Sequence, residues 1–277
     1  MGRRVVATIA VGLVGVLAAA TAASGDGGPG PGVSQGWDGI AQGNERFVAL
    51  PNGSWTSIEV INRNGGRVLR WMSIKGYWGI PIVAYDGTTG GLLRDKRTLV
   101  LAQWPGRSRY SSFALVNAWK MRLVKTVRIK GSYSFDALSP DARYLYLVEH
   151  VTASDYTRYR VRAYDLEAGR LLPKIVSDRH SWETTMQGMP VSRLSSAGWA
   201  FTLYGGTAAR PFIHALDTRH VAAVCIDLPW KEQSQDLFSY RLRTDGDGHL
   251  VVRGPHGRAL AVIDRQSYRL LSSVRNP

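Results

Sequence analysis

The stretch Leu138–Leu172 shows the clearest patterning of apolar and polar positions in the chain. Ser139-Pro140-Asp141-Ala142 is turn chemistry, because proline presets its own φ and aspartate can bond its own backbone. Tyr144-Leu145-Tyr146-Leu147-Val148 then supplies aromatic and branched residues for a strand. After a polar loop, Arg160-Val161-Arg162-Ala163-Tyr164 alternates polar with apolar. Glu167-Ala168-Gly169 turns the chain into a last strand around Leu171 and Leu172. Turn, strand, loop, strand, turn, strand is most of one four-stranded antiparallel meander.

The same pattern recurs along the chain. Apolar strands ending in Asn62, Asn117, Asp165, Asp217 and Asp264 each lead through a polar turn into another apolar strand, at intervals of 47 to 55 residues. Each is preceded by a further strand, over 47–50, 99–103, 144–148, 200–204 and 250–253. A period of about 50 residues with three or four strands per unit is the signature of propeller blades. The predicted fold is therefore all-β, a β-propeller of about five four-stranded antiparallel blades. The repeated Asn or Asp reads as the residue that ends a strand and bonds its own backbone in the following turn. The extra residues between Tyr77 and Arg97 predict one irregular innermost strand with a loop, not a sixth blade. The ring is expected to close either by 37–42 pairing with the last blade or by 269–274 locking against the first.

These repeats resemble the YVTN, TolB and WD40-like β-propeller units, which carry an SPDG-type turn, a strand such as YLYL and a VxVxD turn before the last strand. The resemblance covers residues 44–274 and speaks to architecture. Only Ser139–Ala142 approaches the full turn motif, with Ala142 where glycine is usual, and the Gly-His opening and Trp-Asp ending of a true WD40 unit are absent. The resemblance implies a binding face made of the loops joining second to third strands and one blade to the next.

Composition agrees with one all-β domain: 277 residues with 9 Trp, 12 Tyr, 6 Phe and 30 Gly, 44% of them hydrophobic. Residues 1–23 have a basic start at Arg3 and Arg4, an apolar run and small residues at 20–22, which predicts a signal peptide, or an uncleaved anchor within 5–23. Residues 24–36 read as a Gly/Pro-rich linker and 37–277 as the propeller, so export is expected. The net charge is +14, or +12 without Arg3 and Arg4, which favours acidic partners without specifying them. Nucleic acid is disfavoured, since there is no arginine-rich block. The single cysteine, Cys225, lies in an apolar strand, excludes an intrachain disulfide and reads as a buried free thiol.

On the face that the resemblance implies, Trp78, Trp104, Arg107, Arg109, His150, Tyr156, Arg179, His180, Trp182 and Trp230 are the candidate ligand-binding residues, aromatic platforms beside cationic donors. They suit a partner protein or an anionic cell-envelope polymer. No catalytic set, metal site or cofactor is predicted: the six histidines lack metal-ligand spacing, and Asp245-Gly246-Asp247-Gly248 reads as a turn. The leading expectation is a monomeric, non-enzymatic binding scaffold. A glycan hydrolase or lyase is the alternative, with Glu149, Asp155 and Glu183 as its nearest acids.

Overall fold

The computed structural model describes residues 31–103, 109–152, 155–180, 183–196, 198–206, 210–231 and 237–274. Five antiparallel meanders follow one another along the chain. Blades 1, 3, 4 and 5 have four strands in sequential order, within 36–75, 133–176, 189–227 and 241–273, and blade 3 adds a short fifth, Met186–Gln187, paired with Arg158 and Tyr159. Blade 2 has three regular strands, Thr98–Ala102, Tyr110–Asn117 and Arg122–Lys130. Its innermost position is taken by bridges from the preceding segment, Gly79 to Ala102 and Leu92 to Leu99. This is a five-bladed β-propeller, with the 77–97 segment serving as the irregular inner strand and loop. Val33–Ser34, within the stretch read as a linker, pairs with Ile80–Pro81.

The repeated Asn and Asp act as the sequence predicts. Asn62 Oδ1 accepts the amide of Asn64, Asn117 that of Lys120, Asp165 those of Glu167 and Ala168, Asp217 those of Arg219 and His220, and Asp264 those of Gln266 and Ser267. Each side chain supplies the acceptor that a tight turn would otherwise lack. We call this end of the propeller, where first joins second strand and third joins fourth, the turn end. The opposite end is the loop end.

A second device repeats at the loop end. Thr56 Oγ1 donates to the Gly76 carbonyl at 2.7 Å and accepts the Trp78 amide at 3.0 Å. Ser111 Oγ does the same for Gly131 and Tyr133, at 3.0 and 2.8 Å. Both hydroxyls are buried, and each pins the link to the next blade onto the third strand of its own. A Cβ on Gly76 or Gly131 would meet the Trp78 or Tyr133 ring at 2.6 or 2.8 Å, so glycine is what lets the aromatic fold back under the link.

Alternation along the strands places one apolar face against each neighbour, as in Arg158–Asp165, where every second residue is buried. Four apolar clusters fill the seams between blades 1 and 2, 2 and 3, 3 and 4, and 4 and 5. Each fully buried Leu, Ile or Phe in them contributes about 1.5–3 kcal/mol of transfer free energy. Among the described residues no such cluster joins blades 5 and 1, and Trp37 and Trp71 on blade 1 are each 63% exposed.

Ring closure differs from both expectations. Gly36–Gln42 is the inner strand of blade 1 and pairs with Glu45–Asn52. Leu270–Ser273 is the outer strand of blade 5 and pairs with Ala259–Ile263. The 77–97 segment ties the blades together across the axis instead. The amides of Tyr85 and Asp86 donate to Pro190 and Val191 of blade 4 at 2.8 and 3.1 Å, and Thr89 Oγ1 reaches the Gly39 carbonyl of blade 1 at 3.2 Å. Asp86 Oδ2 accepts Ser192 Oγ at 2.7 Å, and Ser192 Oγ in turn accepts the Leu242 amide of blade 5 at 2.9 Å.

Candidate functional site

Inward-facing residues of blades 3 and 4, with the 77–97 segment, enclose two cavities, one at each end of the axis. Val83, Phe135 and Asp136 line both. The loop-end cavity holds about 330 Å³ and the turn-end cavity about 470 Å³, within the size range of small-ligand sites.

Between them sits an ion pair that the sequence reading missed. Arg193, on the inner strand of blade 4, donates through Nη1 to Asp136 Oδ1 at 2.6 Å and Thr202 Oγ1 at 2.5 Å, and through Nη2 to the Asp136 carbonyl at 2.7 Å. Both side chains are buried, at 2% and 3% exposure. Asp136 Oδ2 and Arg193 Nε have no hydrogen-bond partner among the described residues. Taking two charges from water is costly, and the pair persists because its partners sit close and are well aligned. The sequence does carry a signal: Asp136 and Arg193 are lone charges in otherwise apolar-patterned inner strands, YSFDAL and MPVSRLSS.

The loop-end cavity is aromatic. Tyr85, Phe135, Tyr156, Tyr159 and Tyr204 line it, with Tyr159 stacked on Tyr204 at 4.8 Å between centroids. Among the described residues its lining includes Asp136 and Asp155 but no Lys or Arg. His150 and Ser134 stand on its wall, with Ser134 Oγ 2.9 Å from His150 Nε2 and His150 Nδ1 3.4 Å from the Tyr156 carbonyl. Donation from Nδ1 to that carbonyl assigns Nε2 as acceptor of the serine proton. Burial holds the His150 pKa below its ordinary value despite the Tyr156 carbonyl, so the ring is neutral near pH 7.

Of the ten candidates, the structure brings His150 and Tyr156 together here. Trp78 and Trp230, expected as ligand platforms, are core residues at 5% and 2% exposure. Trp78 folds under the Thr56 hydroxyl and donates from Nε1 to the Lys75 carbonyl, and Trp230 packs between blades 4 and 5. A propeller needs bulky aromatics where inter-blade links cross its seams, and both tryptophans meet that need. Arg179 and His180 leave the cavity: their segment runs outward to the outer strand of blade 4, where Asp178 bridges Ala223, and Arg179 lies 6.0 Å over the Tyr268 ring. Arg109 is exposed, with its carbonyl accepting the Gly131 amide. Trp104, Arg107 and Trp182 lie outside the described residues.

The three acids of the alternative reading do not form a pair at the cavity. Glu149 is held by Arg162 at 3.1 Å and by the Tyr133 hydroxyl at 3.1 Å. Asp155 accepts from Thr157 in its own loop, which holds its carboxyl below the usual range, the opposite of what a general acid needs. Glu183 is exposed. Burial pushes the Cys225 thiol up to about 12, so it is no ready nucleophile. Asp245 Oδ1 accepts the amides of Asp247 and His249, making the Asp245–His249 loop a hydrogen-bonded turn; its Oδ2 lies 3.0 Å from His249 Nδ1.

No protein-family model matches the chain, and no curated protein matches its sequence. Solved structures resemble it in architecture. Hydrazine synthase from Kuenenia stuttgartiensis is 19% identical over 65% of this chain with a TM-score of 0.41. The dihydro-heme d1 dehydrogenase NirN is 13% identical over 83% with a TM-score of 0.47. TolB from Acinetobacter baumannii is 10% identical over 78% with a TM-score of 0.42. The chain spans 46%, 43% and 50% of their respective lengths. These likenesses are of fold alone, and the propeller architecture itself rests on the five successive meanders of this chain. No helix among the described residues is long and apolar enough to cross a membrane.

Proposed function

We propose that the protein is an exported, non-enzymatic propeller scaffold of the cell envelope whose loop end engages a partner protein. The observation that carries this reading is the loop-end cavity, a recess lined with aromatic rings that opens among inter-strand loops and, among the described residues, has no Lys or Arg in its lining. Such a recess suits an inserted apolar side chain, the usual anchor of a protein interface. Export rests on the leader-like pattern of residues 1–23. A photo-reactive amino acid placed at Tyr156, which is 37% exposed, tests the reading in producing cells. A discrete protein adduct, absent when the probe replaces exposed Trp119 instead, supports it. Adducts confined to cell-wall polysaccharide refute it.

One observation favours a second reading. The Ser134–His150 pair has the spacing and tautomer of a nucleophile with its base. Hydrolysis of p-nitrophenyl acetate that disappears in Ser134→Ala would make the protein an acyl hydrolase. The scaffold reading predicts no turnover above that of the variant.

A further inference from the structure

The turn-end cavity has the opposite chemistry from the loop end. Exposed Arg94 and Arg219 stand at its rim, and buried Arg193 forms part of its lining. The lining also holds two acids: Asp136, which pairs through Oδ1 with Arg193 while its buried Oδ2 has no partner among the described residues, and Asp95, whose Oδ1 caps the Arg97 amide at 2.8 Å. Against them stand the three arginines, which leave the described lining net positive. Among the described residues the guanidinium groups of Arg94 and Arg219 have no ion pair, and Arg193 Nε, sealed from solvent, has no acceptor.

The rim is built. Arg219 follows the Asp217 turn, and Thr218 anchors that turn through its amide and hydroxyl to the Gly198 carbonyl at 2.9 and 2.6 Å. Gly198 has φ +90°, and a Cβ there would meet Arg219 Nε at 2.8 Å, so the guanidinium lies directly over the glycine. The Arg94 carbonyl is held by Gln42 Nε2 at 2.7 Å. Trp199 forms one wall, its ring stacked on Phe201 at 5.7 Å.

We infer that the turn-end cavity binds an anionic monosaccharide unit, a sugar phosphate or a uronate. Arginine forks match the planar or trigonal oxygens of carboxylate and phosphate. Trp199 contributes apolar surface to the lining for a sugar ring, and Ser195 and Ser196 bring hydroxyl groups to it. This site is independent of the loop-end reading and stands at the other end of the axis.

The test is calorimetric titration of the purified chain with glucose 1-phosphate, glucuronate, glucose and adenosine monophosphate at physiological salt, where non-specific attraction to a basic surface is largely screened. The expected result is saturable binding of the two sugar anions and none of glucose. Arg94→Ala and Arg219→Ala each weaken binding about tenfold, the scale of one lost charge-assisted hydrogen bond. Trp199→Ala weakens binding of glucose 1-phosphate while leaving that of inorganic phosphate, titrated alongside, unchanged. Both arginines are exposed, so circular dichroism of the variants should match the parent. Affinity that neither arginine variant moves, glucose binding equal to that of glucose 1-phosphate, or tighter binding of adenosine monophosphate would each overturn the assignment.

Discussion

The two ends of the propeller are made by the same five repeats yet differ in how they are specified. At the turn end, five Asn or Asp side chains accept amides two or three residues ahead, and each blade repeats its neighbour. At the loop end, the interactions around the cavity join residues far apart, from Ser134 with His150 to Asp86 with Ser192 across 106 positions. Local repetition builds the scaffold, and non-local exceptions build the sites. Even the turn-end cavity owes its character to exceptions, since Arg94 belongs to the irregular 77–97 segment and Arg193 to a buried charged pair between blades 3 and 4.

The largest test of this contrast breaks that pair. Arg193→Leu leaves the Asp136 carboxylate buried without its partner and should cost about 3–5 kcal/mol in a denaturant titration, whereas Asp136→Leu with Arg193→Leu should recover most of the loss. If the double variant is as unstable as the single one, the pair does not act as a unit.

The axial tie comes next. Asp86→Ala leaves Ser192 without its acceptor at the junction of blades 2, 4 and 5, with an expected loss of about 1–3 kcal/mol. An equally conservative change at a turn-end acceptor, Asp264→Ala, should cost less, because its exposed turn amides can turn to water.

A smaller effect appears with pH. Burial drives the His214 pKa down to about 4, with Asp136 and Asp178 opposing and Arg193 assisting. Since the folded-state value is depressed, the unfolded chain takes up the proton first as pH falls. Stability attached to His214 is thus present above about 6.5 and is lost on descent toward 4, at about 1.4 kcal/mol per pH unit. His214→Gln should flatten that part of the stability profile by one proton; an unchanged slope would place the imidazole in solvent.

The smallest effect improves the scaffold. Ala142 stands at φ +56°, where the resembling families have glycine. Ala142→Gly should stabilise by about 1 kcal/mol in thermal or chemical unfolding, by relieving a left-handed conformation that only glycine adopts freely.

The same contrast explains what was legible in the sequence. The Asn and Asp of the turns announce themselves, because their partners lie within three residues and the pattern recurs five times. The Gly76-Tyr77-Trp78 and Gly131-Ser132-Tyr133 links also repeat, but a Trp after a strand reads equally well as a ligand platform or as packing, and only the Thr56 hydroxyl above it decides. Asp136, Arg193, Tyr159 and Tyr204 carry no loop signature in the sequence, because they lie inside strands. Arg179 and His180 belong to an inter-blade link, which the resemblance puts on the binding face, whereas their segment follows the outer strand of blade 4.

The most direct test of the account is a crystal structure of the purified chain soaked with glucose 1-phosphate. The account predicts ordered density for the phosphate between Arg94 and Arg219 with the sugar against Trp199, and an empty loop-end cavity. Density for the sugar phosphate among Tyr85, Tyr156 and Tyr204 would contradict the opposition between the two ends.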